Sequence, residues 1–199
     1  MRALLLALAA SPALAQEPGD FDYWVLALSW SPTWCALEGD EGDEQCARRM
    51  SWLLHGLWPQ YEEGWPSYCR GEFRDPTRGQ TADMADLQGS AGLAWHAWDK
   101  HGTCSGLAPE EYFALSREAF EDITLPDLAG QWGTTSAEAV ERAVLDANPR
   151  LARDQITVTC DDGHIQEVRL CLDRDLTPRR CGDDAIRDCR LEDAALPAP

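Results

Sequence analysis

Lysine is almost absent from this chain: Lys100 is the only one, and sixteen arginines carry the rest of the basic charge. With a formal net charge of −18, the protein falls outside the class that grips polyanions through a broad basic surface. That balance still permits an enzyme that holds one phosphate locally and releases its products quickly. No Cys-x-x-Cys pair occurs, and the closest Cys/His spacing is His101 with Cys104. Neither a zinc cage nor a c-type haem attachment site is therefore expected, and no metal or cofactor is implied. No later apolar run approaches the ~20 residues that a membrane-crossing helix needs. There is no internal repeat, and nothing in the middle of the chain resembles a linker.

The first fifteen residues carry one charge, Arg2, then an apolar run from Ala3 to Ala10 and the triplet Ala13 to Ala15. This pattern reads as a cleavable export leader over residues 1–15, with Gln16 as the mature N-terminus. Residues 16–199 are expected to form one domain, since about 184 residues with abundant tryptophan bury one substantial core. Loss of Arg2 takes the net charge to about −19. Eight cysteines follow the leader: Cys35, Cys46, Cys69, Cys104, Cys160, Cys171, Cys181 and Cys189. An even count in an exported chain implies up to four disulfides, and eight cysteines allow 105 pairings. A periplasmic or secreted location follows. The mature protein would have no membrane segment, and monomer is the default for a small exported enzyme.

The run Tyr23 to Trp30 mixes β-branched, aromatic and aliphatic residues and stops at Ser31-Pro32, which predicts a core strand. Ser51 to His55 predicts a second, ended by Gly56 and by Pro59, where ladder pairing should stop. Gln155 to Cys160 and Ile165 to Leu172 alternate in polarity around Asp162-Gly163, the signature of a hairpin. Helices are expected over Leu93 to His101, from Pro109 to about Phe120, and from a capping box at Thr135, Ser136 and Glu138 to Asn148-Pro149. The acidic loop Glu38 to Glu44, the segment Arg70 to Ser90 and the tail after Leu191 look flexible. Together these elements predict an α+β fold, an antiparallel β-sheet flanked by α-helices and stapled by disulfides.

Three of the four histidines fall in two short, aromatic-rich segments: His55 in SWLLHGLWPQ, and His96 and His101 in WHAWDKHGTC beside the sole lysine. A lone histidine is ordinarily a hydrogen-bonded core or surface group, and His164, next to the hairpin turn, is read that way. The clustering points elsewhere, because imidazoles titrate near working pH and suit proton transfer. On a helix with His96 at 0°, Lys100 falls at about 40° and His101 at about 140°, so one face gathers two imidazoles and an ammonium. Trp98 turns to the other side, toward the core.

HGLWPQ from His55 to Gln60, with HAWDKHGTC from His96 to Cys104 about forty residues later, resembles the two signature segments of the T2 family of ribonucleases. The likeness extends more loosely from Trp24 to Cys189. It implies a metal-independent endoribonuclease that cuts single-stranded RNA, leaves DNA alone, and forms 2′,3′-cyclic phosphate ends. His101 would be the general base and His55 the general acid, with Lys100 stabilising the phosphorane and His96 helping to hold the phosphate. Trp58 would pack beside the nucleotide; Trp30, Trp34 and Tyr61 are candidate stacking surfaces or core residues. The resemblance also implies the pairings Cys35–Cys46, Cys69–Cys104, Cys160–Cys189 and Cys171–Cys181.

One position departs from the family pattern. Glutamate usually follows the first histidine of the second segment, and here that residue is Ala97. Asp99, the nearest carboxylate, lies about 160° further around the helix and does not share that space. Loss of a carboxylate beside paired histidines lowers their pKa values. The chain is thus either an active enzyme with a modified segment or a weak or inactive relative acting as an exported binding or effector protein. Under the first reading, Ala97→Glu raises RNA cleavage or shifts its optimum to lower pH; an unchanged rate and pH profile count against it.

Overall fold

The computed structural model describes residues 16–40 and 42–199; the leader expected over residues 1–15 lies outside the described residues. Strand β1 (Tyr23–Trp30) runs straight into helix α1 (Ser31–Leu37), where Pro32 sits in the first turn, and short α2 (Glu44–Ala47) follows. Next come β2 (Trp52–Gln60) and the helices α3 (Arg78–Asp83), α4 (Ala85–Gln88), α5 (Ala91–Lys100) and α6 (Pro109–Glu121). Strand β3 (Gly133–Thr135), helix α7 (Ala137–Ala147) and strands β4 (Ile156–Asp161), β5 (His164–Leu172) and β6 (Ala194–Leu196) complete the order.

This is the expected α+β architecture, with one refinement to the sheet. Its order is β2-β1-β5-β6-β3, with β4 also paired to β5. All pairings are antiparallel except a single parallel bridge between β5 and β6, so the sheet is mixed. Strand β1 sits between β2 and β5 and is buried on both faces. Its residues Trp24, Leu26, Leu28 and Trp30 enter the main core with Trp98, Tyr112, Phe113, Val140 and Val144 from the helices. Its opposite face presents Val25, Ala27 and Ser29, by the period of two.

Strand β2 corrects the sequence reading. It continues through Gly56 and Pro59 to Gln60. Pro59 is tolerated because β2 is the outer strand of its side of the sheet, where one set of backbone groups needs no ladder partner. The break comes one residue before Gly56: Ala27 pairs with Gly56 and Leu28 with Leu54, which leaves His55 as the extra residue of a bulge.

Two of the segments expected to be flexible are ordered by identifiable contacts. Within Arg70 to Ser90, Thr77 and Gln80 form a reciprocal capping box that starts α3, and Met84 and Ala85 are buried at the start of α4. In the tail, β6 pairs with β3, Ala194 and Leu196 are fully buried, and the Trp30 indole donates to the Pro197 carbonyl at 2.9 Å. Helix α7 starts one residue later than the capping box predicts, with Ser136 as its cap at 3.1 Å from the Ala139 nitrogen. At the hairpin, Asp162 and Gly163 both have positive φ, 38° and 78°, as a primed turn requires. Four disulfides join Cys35 to Cys46, Cys69 to Cys104, Cys160 to Cys189 and Cys171 to Cys181.

Because Leu196 is enclosed, Leu196→Ala should cost about 2–5 kcal/mol. A urea midpoint equal to that of the parent protein would mean that the tail contributes nothing to the core.

Candidate active site

The bulge in β2 and the end of α5 meet at one cavity of about 360 Å³, lined among others by His55, Trp58, Lys100, His101 and Arg169. Each is placed by a local constraint. At His55 the bulge re-aims the side chain, and the buried Gln88 side chain of α4 donates to its carbonyl at 3.3 Å. Trp58 lies three residues along β2. Its indole approaches so closely that a Cβ on Gly56 would come 2.6 Å from Nε1 and 3.6 Å from the Ala97 Cβ. Glycine at position 56 is therefore a packing requirement.

Helix α5 begins at Ser90, whose hydroxyl accepts from the Leu93 nitrogen, and ends with Lys100 as its last residue. His101 is the C-cap, its nitrogen bonded to the Ala97 carbonyl at 3.0 Å, and a 3₁₀ turn over Gly102–Cys104 follows. A Cβ on Gly102 would meet Trp98 at 2.5 Å and Tyr112 at 3.0 Å, so the chain turns tightly here only with glycine. The buried Tyr112 of α6 joins the two segments: its hydroxyl donates to the Leu57 carbonyl at 2.9 Å and lies 3.4 Å from the Ala97 carbonyl. The Cys69–Cys104 bridge anchors the turn from the other side.

Within the cavity the His101 ring stacks on Trp58, with centroids 4.9 Å apart and planes 18° off parallel. The His55 ring meets the same indole edge-on at 5.1 Å, and the Arg169 guanidinium lies 5.1 Å from its centroid. His101 is only 6% exposed. Burial, then the positive charges of Lys100, His55 and His96, push its pKa from the ordinary 6.5 down to about 2, against an opposing pull from Glu167. Lys100 forms no ion pair among the described residues. Its charge is available to the cavity.

The remaining sequence candidates fall outside this cavity. His96 is exposed on α5 beside the cavity lining; partial burial, then the charges of Lys100 and His55, lower its pKa. Trp30 is a core residue, packed edge-on against Trp52, and offers no free face. Tyr61 packs half-buried against the main core. Trp34 lines a separate depression that also borders on His55. Among the described residues, no group of three His, Cys, Asp or Glu side chains is placed to hold a metal.

Residues that sequence reasoning missed complete the site: Glu167 and Arg169 from β5, with Trp65 and Asp184 on the cavity wall. The signal for the first two was present in Ile165 to Leu172. Val168, Leu170 and Leu172 fill the core face, so Glu167 and Arg169 share the other face of a sheet buried on both sides.

A family model for the ribonuclease T2 family matches residues 21–181. The chain belongs to the ribonuclease T2 family. A ribonuclease of Aeromonas hydrophila is 47% identical over 102 residues, 51% of this chain and 46% of that protein. The ribonuclease T2 protein rnst-2 of Caenorhabditis elegans is 26% identical over an alignment that covers 94% of this chain and 77% of that one. The chain thus spans about half the length of the first curated relatives it matches. An RNase-related protein from Calystegia sepium superposes with a TM-score of 0.69 at 21% identity, over 89% of this chain and 97% of that one, which shows the shared T2 fold.

The histidine and the carboxylate of this T2-family site both weaken the folded state in acid, but over different pH windows. His101 binds its proton more weakly folded than unfolded, so the folded state loses stability as pH drops below 6.5 toward 2. Burial pushes the Glu167 carboxyl up, but its bonds and charge contacts with His55 and Arg169 outweigh that and hold it below the ordinary 4.5, at about 2. Its contribution is present in full above 4.5 and is lost progressively as pH falls from there through about 2. Between 6.5 and 4.5, His101 is therefore the one of the two that erodes stability, on the order of 1 kcal/mol per pH unit. His101→Gln should show a smaller fall in Tm than the parent between about pH 7 and pH 5; equal falls would contradict a buried, neutral His101.

Proposed function

We propose that this protein is an exported, metal-independent endoribonuclease that cuts single-stranded RNA by attack of the ribose 2′-oxygen. The observation that carries this reading is the convergence of His55, His101 and Lys100 on one cavity around the Trp58 indole. In-line attack needs one group to take a proton and another to give one. His101, held neutral by burial, takes the proton of the 2′-hydroxyl as the O2′–P bond forms. His55 gives a proton to the departing 5′-oxygen as the P–O5′ bond breaks, and a 2′,3′-cyclic phosphate remains.

Burial and neighbouring positive charge hold the His101 pKa at about 2. A bound phosphodiester brings negative charge against Lys100 and His101, which raises the proton affinity of the imidazole when a base is required. Lys100 then offsets the charge that grows on the phosphorane, an interaction that strengthens in a partly dehydrated site. His96, exposed near Lys100 and His55, helps to hold the scissile phosphate. Dependence on the 2′-hydroxyl accounts for cutting RNA and sparing DNA. Export is supported by the leader-like residues 1–15 and by four disulfides. Among the described residues, no helix is long and apolar enough to cross a membrane.

Ala97 is the observation that favours a second reading, a relative that binds without cutting. Incubation of the oxidised protein with a short RNA and its DNA counterpart in EDTA separates the two. RNA-only cleavage leaving 2′,3′-cyclic phosphate ends, identified by mass spectrometry, is the expected result. Intact RNA from acidic to neutral pH supports the binding role.

A further inference from the structure

We infer that Glu167, reaching across the sheet from β5, is the positioning carboxylate of this site and sets which nitrogen of His55 carries the transferable proton. The inference rests on the ribonuclease reading above and goes beyond it, because the family pattern has its carboxylate at the place of Ala97. Here Ala97 is 1% exposed and packed toward Gly56 and Trp58.

Glu167 is 2% exposed, so its charge must be matched inside the protein. The matching is divided between its two oxygens. Oε2 accepts from Arg169 Nε at 2.8 Å and from the terminal guanidinium nitrogen at 2.6 Å. Oε1 accepts from the Ser29 hydroxyl at 3.1 Å and from His55 Nδ1. Arg169 thereby fixes the plane of the carboxylate and leaves one oxygen for the imidazole. His55 on β2 and Glu167 on β5 are separated by the whole of β1. They meet because β1 presents small residues between them: Ala27 lies opposite Gly56 and Arg169, and Ser29 opposite Glu167.

With Nδ1–H donated to the carboxylate, Nε2 is the nitrogen from which a proton passes to the leaving 5′-oxygen. A carboxylate that holds a catalytic imidazole in one tautomer contributes through that imidazole and touches no reacting atom. Glu167 is therefore a positioning residue for the acid step alone. A leaving group that needs no proton makes it dispensable.

The test compares two substrates on the full oxidised protein: a dinucleoside monophosphate, and the 4-nitrophenyl ester of the same nucleoside 3′-phosphate. Glu167→Gln keeps the shape and removes the charge. It should lower kcat on the dinucleotide by roughly 10²-fold and on the aryl ester by no more than about threefold. Equal losses on both, with the parent active, overturn the role of Glu167 and leave the ribonuclease reading standing; a parent inactive on both substrates overturns the two together. Nitrogen-15 NMR of the parent histidines supplies a readout that needs neither substrate nor a folded variant. A low-field Nδ1 proton on His55 is expected, and a neutral imidazole carrying its proton on Nε2 alone overturns the proposal.

Discussion

A buried carboxylate holds this structure's chemical end together. Isolated in the interior, the charge of Glu167 would be far too costly to keep. It is tolerated because Arg169, Ser29 and His55 fill its acceptor positions. That requirement reaches back into the sheet. A large side chain at Ala27 or Ser29 would separate the partners, a regular β2 without its bulge would turn His55 elsewhere, and a strand β5 without its Glu-x-Arg pair would leave the imidazole unheld. The bland residues of β1 are therefore as specific as the histidines they accommodate.

The second constraint is the seam between the two motif segments. Gly56 and Gly102 are both positions where a Cβ would collide with an aromatic ring, Trp58 in one case and Trp98 with Tyr112 in the other. The Tyr112 hydroxyl, held between the backbone of β2 and that of α5, fixes the distance across the seam. Stacking of His101 on Trp58 follows from that spacing, and the burial that depresses its pKa follows from the stacking. The shift is downward. Its leading cause is burial, followed by the neighbouring positive charges.

Much of this was legible in the sequence where local chemistry decides the outcome. Strand β1, helix α6 and the Asp162-Gly163 turn follow from pattern and turn residues. His55, Lys100, His101 and Trp58 were marked by clustering and by the motifs. The failures are those of non-local packing. Pro59 argues against a strand unless the strand is known to lie at an edge, and the short, alanine- and proline-rich tail gives no hint that Ala194 and Leu196 complete a sheet. Trp30 shows that an aromatic near a motif does not reveal which face it turns. The disulfide partners came from family resemblance, because spacing alone leaves the pairing open. Glu167 was hidden for the same reason as Trp30: its importance depends on a neighbour two strands away.

The charge of the molecule and the charge of the site have opposite signs, and this shapes the account of function. A net charge of −18 repels a polyanion, while Lys100, Arg169, Arg187, His55 and His101 line one cavity. Such a protein captures a single phosphate at close range and holds the rest of the strand weakly. The most direct test of that claim is a crystal structure with a dinucleotide whose attacking 2′-hydroxyl has been replaced by hydrogen. The account predicts the phosphate between His55 and His101, in contact with Lys100, with His55 Nδ1 still bonded to Glu167. A phosphate bound elsewhere, or a cavity that stays empty at saturating ligand, would contradict it.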